Sequence, residues 1–470
     1  MYRFLSAILL VIMFPAYSQQ SVLSPLEVSE DNRYFMVDDE PFLWLGDTAW
    51  ELFHVLDREE SIQYLDNRAE KGFTVIQAVA LAELNGTTTP NAYGELAIFD
   101  NDLSRINDAY FEHLEWIIAQ AQQRGLYVAL LPTWGDKVAH IYKNDRPIFT
   151  PQTAYSYGKY LSDRLAAYPV IWILGGDRDI ISTQVRDIWD AMAAGIKDGR
   201  GGDKLMSYHP KGETSSAEWF HQSEWLSFNS YQSGHDMKYD PVYTYCREHE
   251  ALSPRKPYVN IEPCYEDIPL RFWLYRDPEA RGLTRLDYIA KDGLVIDETL
   301  YVEGVFAARD VRISTYWTLL SGAAGCSYGN NAVWQMFKPY GQTNVPPLDY
   351  WYDALDKPGA ESMRYVAEIF TQYPLNSFVT APQMIVGENV EDENYIAAAR
   401  ACDSSFALVY LAKGREFSLN LSGLSKYSDS EWFNPSNGER VVAEYSLSTS
   451  LNIVNFNAPP TSADWLLIVK

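Results

Sequence analysis

The chain has 470 residues, of which 47% are hydrophobic and 14% aromatic, and it carries a formal net charge of −25. That length admits one large domain plus a small one. The acidic balance excludes nucleic acid and anionic membrane surfaces as partners, because its long-range field repels both.

Residues 1–19 read as an export signal. Arg3 supplies the positive start, Phe4 to Phe14 form an apolar run, and Ala16-Tyr17-Ser18 makes a small-x-small cleavage site before Gln19. The run is too short to span a bilayer comfortably and no cysteine follows it for lipid attachment. No later segment is long and apolar enough to anchor the chain. The expected location is therefore periplasmic or extracellular, with no membrane anchor.

From Phe42 to about Tyr328 short apolar runs alternate with amphipathic stretches. The predicted strands are Phe42–Leu45, Thr74–Val79, Tyr127–Leu131, Val170–Leu174, Leu205–Tyr208, Leu226–Asn229, Tyr258–Ile261 and Ala324–Tyr328. Helical patterns lie between them over Glu59–Lys71, Asn107–Arg124, Thr153–Ala167, Thr183–Lys197 and Val302–Leu320. This α/β alternation predicts a parallel sheet, and its strand count favours a closed (β/α)₈ TIM barrel over residues 22–375. A doubly wound open sheet would carry a Gly-rich phosphate turn after an early strand, and the sequence has none.

From Val386 the pattern changes to period two, through Ile396–Ala399, Phe406–Leu411, Phe417–Leu421, Trp432–Asn434, Val441–Tyr445 and Trp465–Val469. Turn formers such as Asn437-Gly438 punctuate it. A small antiparallel β-sandwich over 380–470 is the expectation. The four cysteines, Cys246, Cys264, Cys326 and Cys402, lack the paired spacing of a zinc or iron–sulfur site. A Cys246–Cys264 disulfide and inert buried thiols are the two readings.

In a parallel barrel the chemistry sits where strands end at the C-terminal face. Read there, strand four delivers Gly175-Gly176-Asp177 and strand seven delivers Glu262, each after an apolar run. Two carboxyl groups facing each other at about 5–5.5 Å would act as general acid and nucleophile of a retaining glycosidase. The acid then needs a raised pKa while the nucleophile stays ionised. Each has a structural alternative: Asp177 paired with Arg178 or capping the next helix, and Glu262 paired with Arg271 or Arg276. Asp179 and Glu266 are the rival carboxylates.

The remaining strand ends bring aromatic, amide and imidazole side chains to the same rim. Asp47, Gln77, Trp134, His209, Asn229, Gln232, His235, Tyr328 and Trp334 are the candidates to bind a sugar, through ring stacking and hydroxyl hydrogen bonds. His209 and His235 match no metal motif such as HExxH, so no metal is expected. A serine nucleophile is disfavoured because no G-x-S-x-G elbow is present. The non-enzymatic alternative is an extracellular polysaccharide- or protein-binding protein on a barrel scaffold, for which two opposed carboxylates would have no use.

Five runs carry a resemblance: Phe42-Leu43-Trp44-Leu45-Gly46-Asp47-Thr48-Ala49-Trp50, Ile173-Leu174-Gly175-Gly176-Asp177, Gln232-Ser233-Gly234-His235, Ile261-Glu262-Pro263 and Ser321-Gly322-Ala323-Ala324-Gly325. Over about 22–375 the chain resembles the apiosidase-like glycoside hydrolases, family 140. Its tail, with Trp432-Phe433-Asn434-Pro435 and Asp464-Trp465-Leu466-Leu467, is similar to the β-sandwich that follows them under the name of a collagen-binding domain. The resemblance implies a cofactor-free (β/α)₈ hydrolase acting on apiose-linked side chains of the pectin rhamnogalacturonan II. It also implies Asp177 as acid/base and Glu262 as nucleophile, in agreement with the strand-end reading. Lys137 and Arg178 are the basic side chains expected to meet an acidic glycan locally.

Overall fold

The structure is a computed structural model describing residues 23–275, 289–425, 429–448, 452–459 and 463–470. The expected export signal at 1–19 lies outside the described residues.

Eight parallel strands form the barrel in the order the chain supplies them: Trp44–Thr48, Val75–Leu81, Tyr127–Thr133, Ile171–Gly175, Met206–His209, Asn229–Gln232, Tyr258–Asn260 and Gly325–Tyr328. A ninth, antiparallel strand of two residues, Thr214–Ser215, pairs with strand six. Strand eight pairs with strand one, Gly325 opposite Trp44, which closes one side of the circle. Strands five and six share no regular ladder. There Ser227 N–H donates to the Met206 carbonyl at 2.8 Å. The Ser207 hydroxyl donates to the Phe228 carbonyl at 2.7 Å and the Ser230 hydroxyl to that of Tyr208 at 2.6 Å. Serine side chains thus satisfy carbonyls that a continuous ladder would have used.

Strand six is where the sequence expectation fails. Leu226–Asn229 was the apolar run, but the strand is the polar Asn229–Gln232, and Leu226 and Phe228 pack below it. Apolarity marks the residues beneath the strand, because the strand itself carries polar side chains, Asn229 meeting His221 and the Ser230 hydroxyl donating to the Tyr208 carbonyl. Helices at Arg58–Glu70, Asp108–Gln123, Pro151–Arg164, Thr183–Asp198 and Ala308–Leu320 wrap the outside. Each of the first four opens on an Asp, Asn, Thr or Ser whose side chain accepts a first-turn N–H.

An antiparallel sheet of Glu27–Val28, Phe35–Val37 and Glu40–Phe42 precedes the barrel. Its Phe35 is fully buried against Trp44 and Phe228 at ring distances of 5.9 and 5.1 Å, plugging the N-terminal end. Trp172, Trp189, Trp317 and Trp351 are also fully buried, so much of the aromatic excess is core.

The C-terminal module packs a six-stranded antiparallel sheet against a three-stranded one. Their inner faces share a core that includes Val409, Leu419, Trp432, Val454, Phe456 and Leu467. The stretch read as one strand, Val441–Tyr445, is two: Arg440–Val442 edges the large sheet and Tyr445–Leu447 the small one. Phe378–Thr380 and Ile453–Asn457 are further strands. The module is fastened to the barrel by Asp464, which accepts from Arg312 at 2.7 and 3.0 Å and from the Tyr410 hydroxyl at 2.8 Å. Tyr316 of the barrel stacks on Tyr410 at 4.7 Å. Cys246, Cys264 and Cys326 are buried free thiols and Cys402 is an exposed one, so the thiol reading holds over the Cys246–Cys264 disulfide.

Candidate active site

Strand four ends in three successive residues of left-handed backbone, Gly175 (φ 93°), Gly176 (φ 127°) and Asp177 (φ 52°). A β-carbon on Gly175 would meet the His209 carbonyl at 2.3 Å, and one on Gly176 would meet Gly135 N and the Trp134 ring at 2.8 Å. Only glycine permits that approach, and Asp is one of the few side chains that tolerates the left-handed region after it. The turn swings Asp177 over the barrel mouth. The following helix is capped by Ser182, so Asp177 is not its cap.

Glu262 follows strand seven and is held from two sides. His235 Nε2 lies 3.1 Å from Glu262 Oε1, and His209 Nε2 lies 2.9 Å from Oε2. Burial pushes the Glu262 carboxyl up, but the two imidazoles that flank its oxygens, His209 and His235, outweigh it and hold the group below the ordinary carboxylate range. Gln77 fixes the backbone just before it: its amide donates to the Ile261 carbonyl at 2.9 Å, while its oxygen accepts from the Ser327 hydroxyl at 2.9 Å. His209 is wedged between Trp50 and Trp134 at ring distances of 5.4 and 5.3 Å. Its Nδ1 is 2.8 Å from the Pro210 carbonyl.

Both carboxylates line one cavity of about 370 Å³ at the C-terminal end of the barrel. Trp134, Gln232, His235 and Trp334 share its wall. Several buried polar atoms of that wall make no protein hydrogen bond, among them Trp134 Nε1, Gln232 Oε1 and His235 Nδ1. A donor and an acceptor left in this way suit a ligand rich in hydroxyl groups.

Other candidates lie beneath the cavity. Asp47 is fully buried, accepting from Tyr64 at 2.5 Å and from Arg68 at 2.7 Å, and is a foundation for strand one. Gln77 and His209 touch the Glu262 region from below rather than the cavity. Asn229 meets His221 at 3.2 Å, and Tyr328 donates to Glu266 at 2.6 Å. Glu266 also accepts from Gly359 N, so this rival carboxylate is committed to the scaffold. Asp179 pairs with Lys211 at 2.9 Å. Arg271 pairs with Glu303, not Glu262, and Arg276 lies outside the described residues. Lys137 donates to the Ala82 carbonyl and Asp136, and Arg178 pairs with Asp145 at 3.0 Å and with Asp177 at 3.4 Å. Among the described residues no group of three or more His, Cys, Asp or Glu side chains could hold a metal ion.

The cavity also has walls that strand-end reading passed over. Glu83, Tyr142, Lys211, Glu213, Phe272 and Trp273 come from loops beyond the strands, where no periodic pattern marks them.

The apiosidase-like catalytic domain family matches residues 29–377. The chain belongs to the apiosidase-like family. A second family, described as "Putative collagen-binding domain of a collagenase", matches 379–470. No curated protein is similar to the chain. Among solved structures, one named only as a glycoside hydrolase is 28% identical with a TM-score of 0.79, covering 95% of this chain and 96% of its own. A glycoside hydrolase family 5 protein from Bacteroides vulgatus is 29% identical with a TM-score of 0.79, over 95% and 92% of the two chains. The family 5 mannosidase of Rhizomucor miehei, at 12% identity and a TM-score of 0.52 over 74% and 98%, shares the fold. This apiosidase-like protein is accordingly a glycoside hydrolase.

Proposed function

We propose that the enzyme is an exported retaining glycosidase that removes apiose-linked side chains from rhamnogalacturonan II. The observation that carries the chemistry is Glu262 with His209 Nε2 at 2.9 Å and His235 Nε2 at 3.1 Å, in the wall of the cavity that also holds Asp177. A nucleophile must stay deprotonated at the working pH, and this clamp does that inside a buried site. Asp177, 23% exposed at the side chain, protonates the glycosidic oxygen as Glu262 attacks the anomeric carbon and the C–O bond breaks. The glycosyl-enzyme ester is then opened by a water whose proton passes to Asp177, and Glu262 leaves as the carboxylate.

The substrate rests on family membership, and no cofactor enters the scheme. Sugar release from rhamnogalacturonan II fragments and a panel of aryl glycosides tests it. Free apiose from the fragments supports the substrate. Release of a different sugar, with loss in Asp177→Ala and Glu262→Ala, would keep the chemistry and remove apiose. Export is tested by the mass of the protein recovered outside the cytoplasm. Cleavage before Gln19 is expected, and a retained Met1 would contradict it.

A further inference from the structure

A second cavity, about 720 Å³, adjoins the catalytic one. Glu83, Tyr142 and Asn344 line both, so the two form one continuous cleft. Asp177, Glu262, His235 and Tyr265 line only the first space, but Arg178, next in sequence to Asp177 and paired with it at 3.4 Å, is in the wall of the second. It therefore extends from the Asp177 side. Its volume is in the range of about 300–1,000 Å³ that takes a ligand larger than one sugar ring. Asn85, Thr87, Thr88, Asn144 and Thr343 give it a wall of amides and hydroxyls. Such groups match sugar hydroxyls.

Tyr142 stands where the two spaces meet and its placement is built. Asp145 Oδ2 accepts the backbone N–H of Ile141 at 2.8 Å and of Tyr142 at 2.7 Å. The same buried carboxylate pairs with Arg178 at 3.0 Å. Arg178 in turn donates to the Asp177 carbonyl at 2.8 Å and lies 4.6 Å from the centre of the Tyr142 ring. One buried ion pair thus sets both the strand end that carries Asp177 and the loop that carries Tyr142. The ring nevertheless remains 49% exposed, a flat apolar surface at the junction of two polar spaces.

We infer that the second cavity is the arm of the cleft that holds the leaving group, a saccharide of more than one unit, and that Tyr142 is the platform for its first sugar. The inference rests on Asp177 as the acid, because the group that protonates the departing oxygen must stand on the leaving-group side. It makes Tyr142 a specificity-determining residue and the enzyme selective for bonds within a larger glycan over those to a small aglycone.

Calorimetric binding of the rhamnogalacturonan II backbone oligosaccharide, stripped of apiose-linked side chains, tests the arm without any cleavage. The expected result is binding by wild type and Tyr142→Phe with similar Kd, and at least tenfold weaker binding by Tyr142→Ala. A Kd unmoved in Tyr142→Ala, or no binding by wild type at millimolar concentration, overturns the inference. Apiose release by wild type alongside absent backbone binding would remove the arm and leave the proposed function intact. Backbone binding that depends on Tyr142 without apiose release would do the reverse.

Discussion

His209 and Glu262 leave different barrel strands, five and seven, yet their Nε2 and Oε2 atoms lie 2.9 Å apart. With His235 at 3.1 Å on the other oxygen, this contact holds a buried carboxyl below the ordinary carboxylate range. The sign of the pH dependence follows. Glu262 is depressed in the folded enzyme, so as the proposed nucleophile it stays ionised above its lowered pKa, and activity is expected to be lost as pH falls through that value.

Removing one clamp should move that limb upward. His235→Ala leaves Glu262 with burial opposed by a single imidazole, so the acid limb of the kcat/KM profile is expected to rise by about one pH unit or more, each unit being about 1.4 kcal/mol between the two protonation states. Activity near pH 5 should therefore fall more than activity near pH 7. A limb that stays in place while the rate drops uniformly would make His235 a substrate contact, as its strand-end position first implied.

Asp47 separates a foundation from a binding role. Asp47→Asn leaves the Arg68 guanidinium buried without its counter-charge, and breaking such a pair costs about 3–5 kcal/mol. A lower Tm is expected, with KM unchanged in the protein that remains folded. A raised KM at unchanged Tm would return Asp47 to the sugar site.

How much of this was legible in the sequence follows from what each residue's environment writes into the chain. Barrel strands buried on both faces read as apolar runs, which is why seven of the eight fall close to where Trp44–Thr48, Ile171–Gly175 and their neighbours stand. Asn229–Gln232 escaped because it is polar: Asn229 and Ser230 hydrogen-bond within the barrel and Gln232 lines the cavity. Gly175-Gly176-Asp177 was legible because left-handed backbone demands glycine. Asp47, Asn229 and Tyr328 share the strand-end position of Glu262 but point into the scaffold, and position alone cannot separate the two directions. Tyr142 and Trp273 sit on long loops whose path depends on contacts such as Asp145 with Arg178, which are remote in sequence.

The barrel and the β-sandwich are locked by one buried charge. Asp464 is fully buried and takes three hydrogen bonds from Arg312 and Tyr410. Arg312→Met is expected to destabilise the protein by about 3 kcal/mol through the carboxylate left unpaired. Thermal unfolding should show a lower Tm, and kcat at a permissive temperature should stay within about twofold, since the pair is outside the cavity. An unchanged Tm would mean that the two modules do not depend on this contact.

The most direct test of the central assignment is the rate of sugar release by Glu262→Ala and Asp177→Ala beside wild type, each shown folded by its unfolding transition. The account predicts a loss of about 10²–10⁴-fold or more in each, as for removal of a positioned acid or nucleophile. On an aryl glycoside whose aglycone leaves without protonation, added azide should restore turnover in Asp177→Ala, because a small anion can open the glycosyl-enzyme without a general base. Either variant cleaving at a rate close to wild type would contradict the pair.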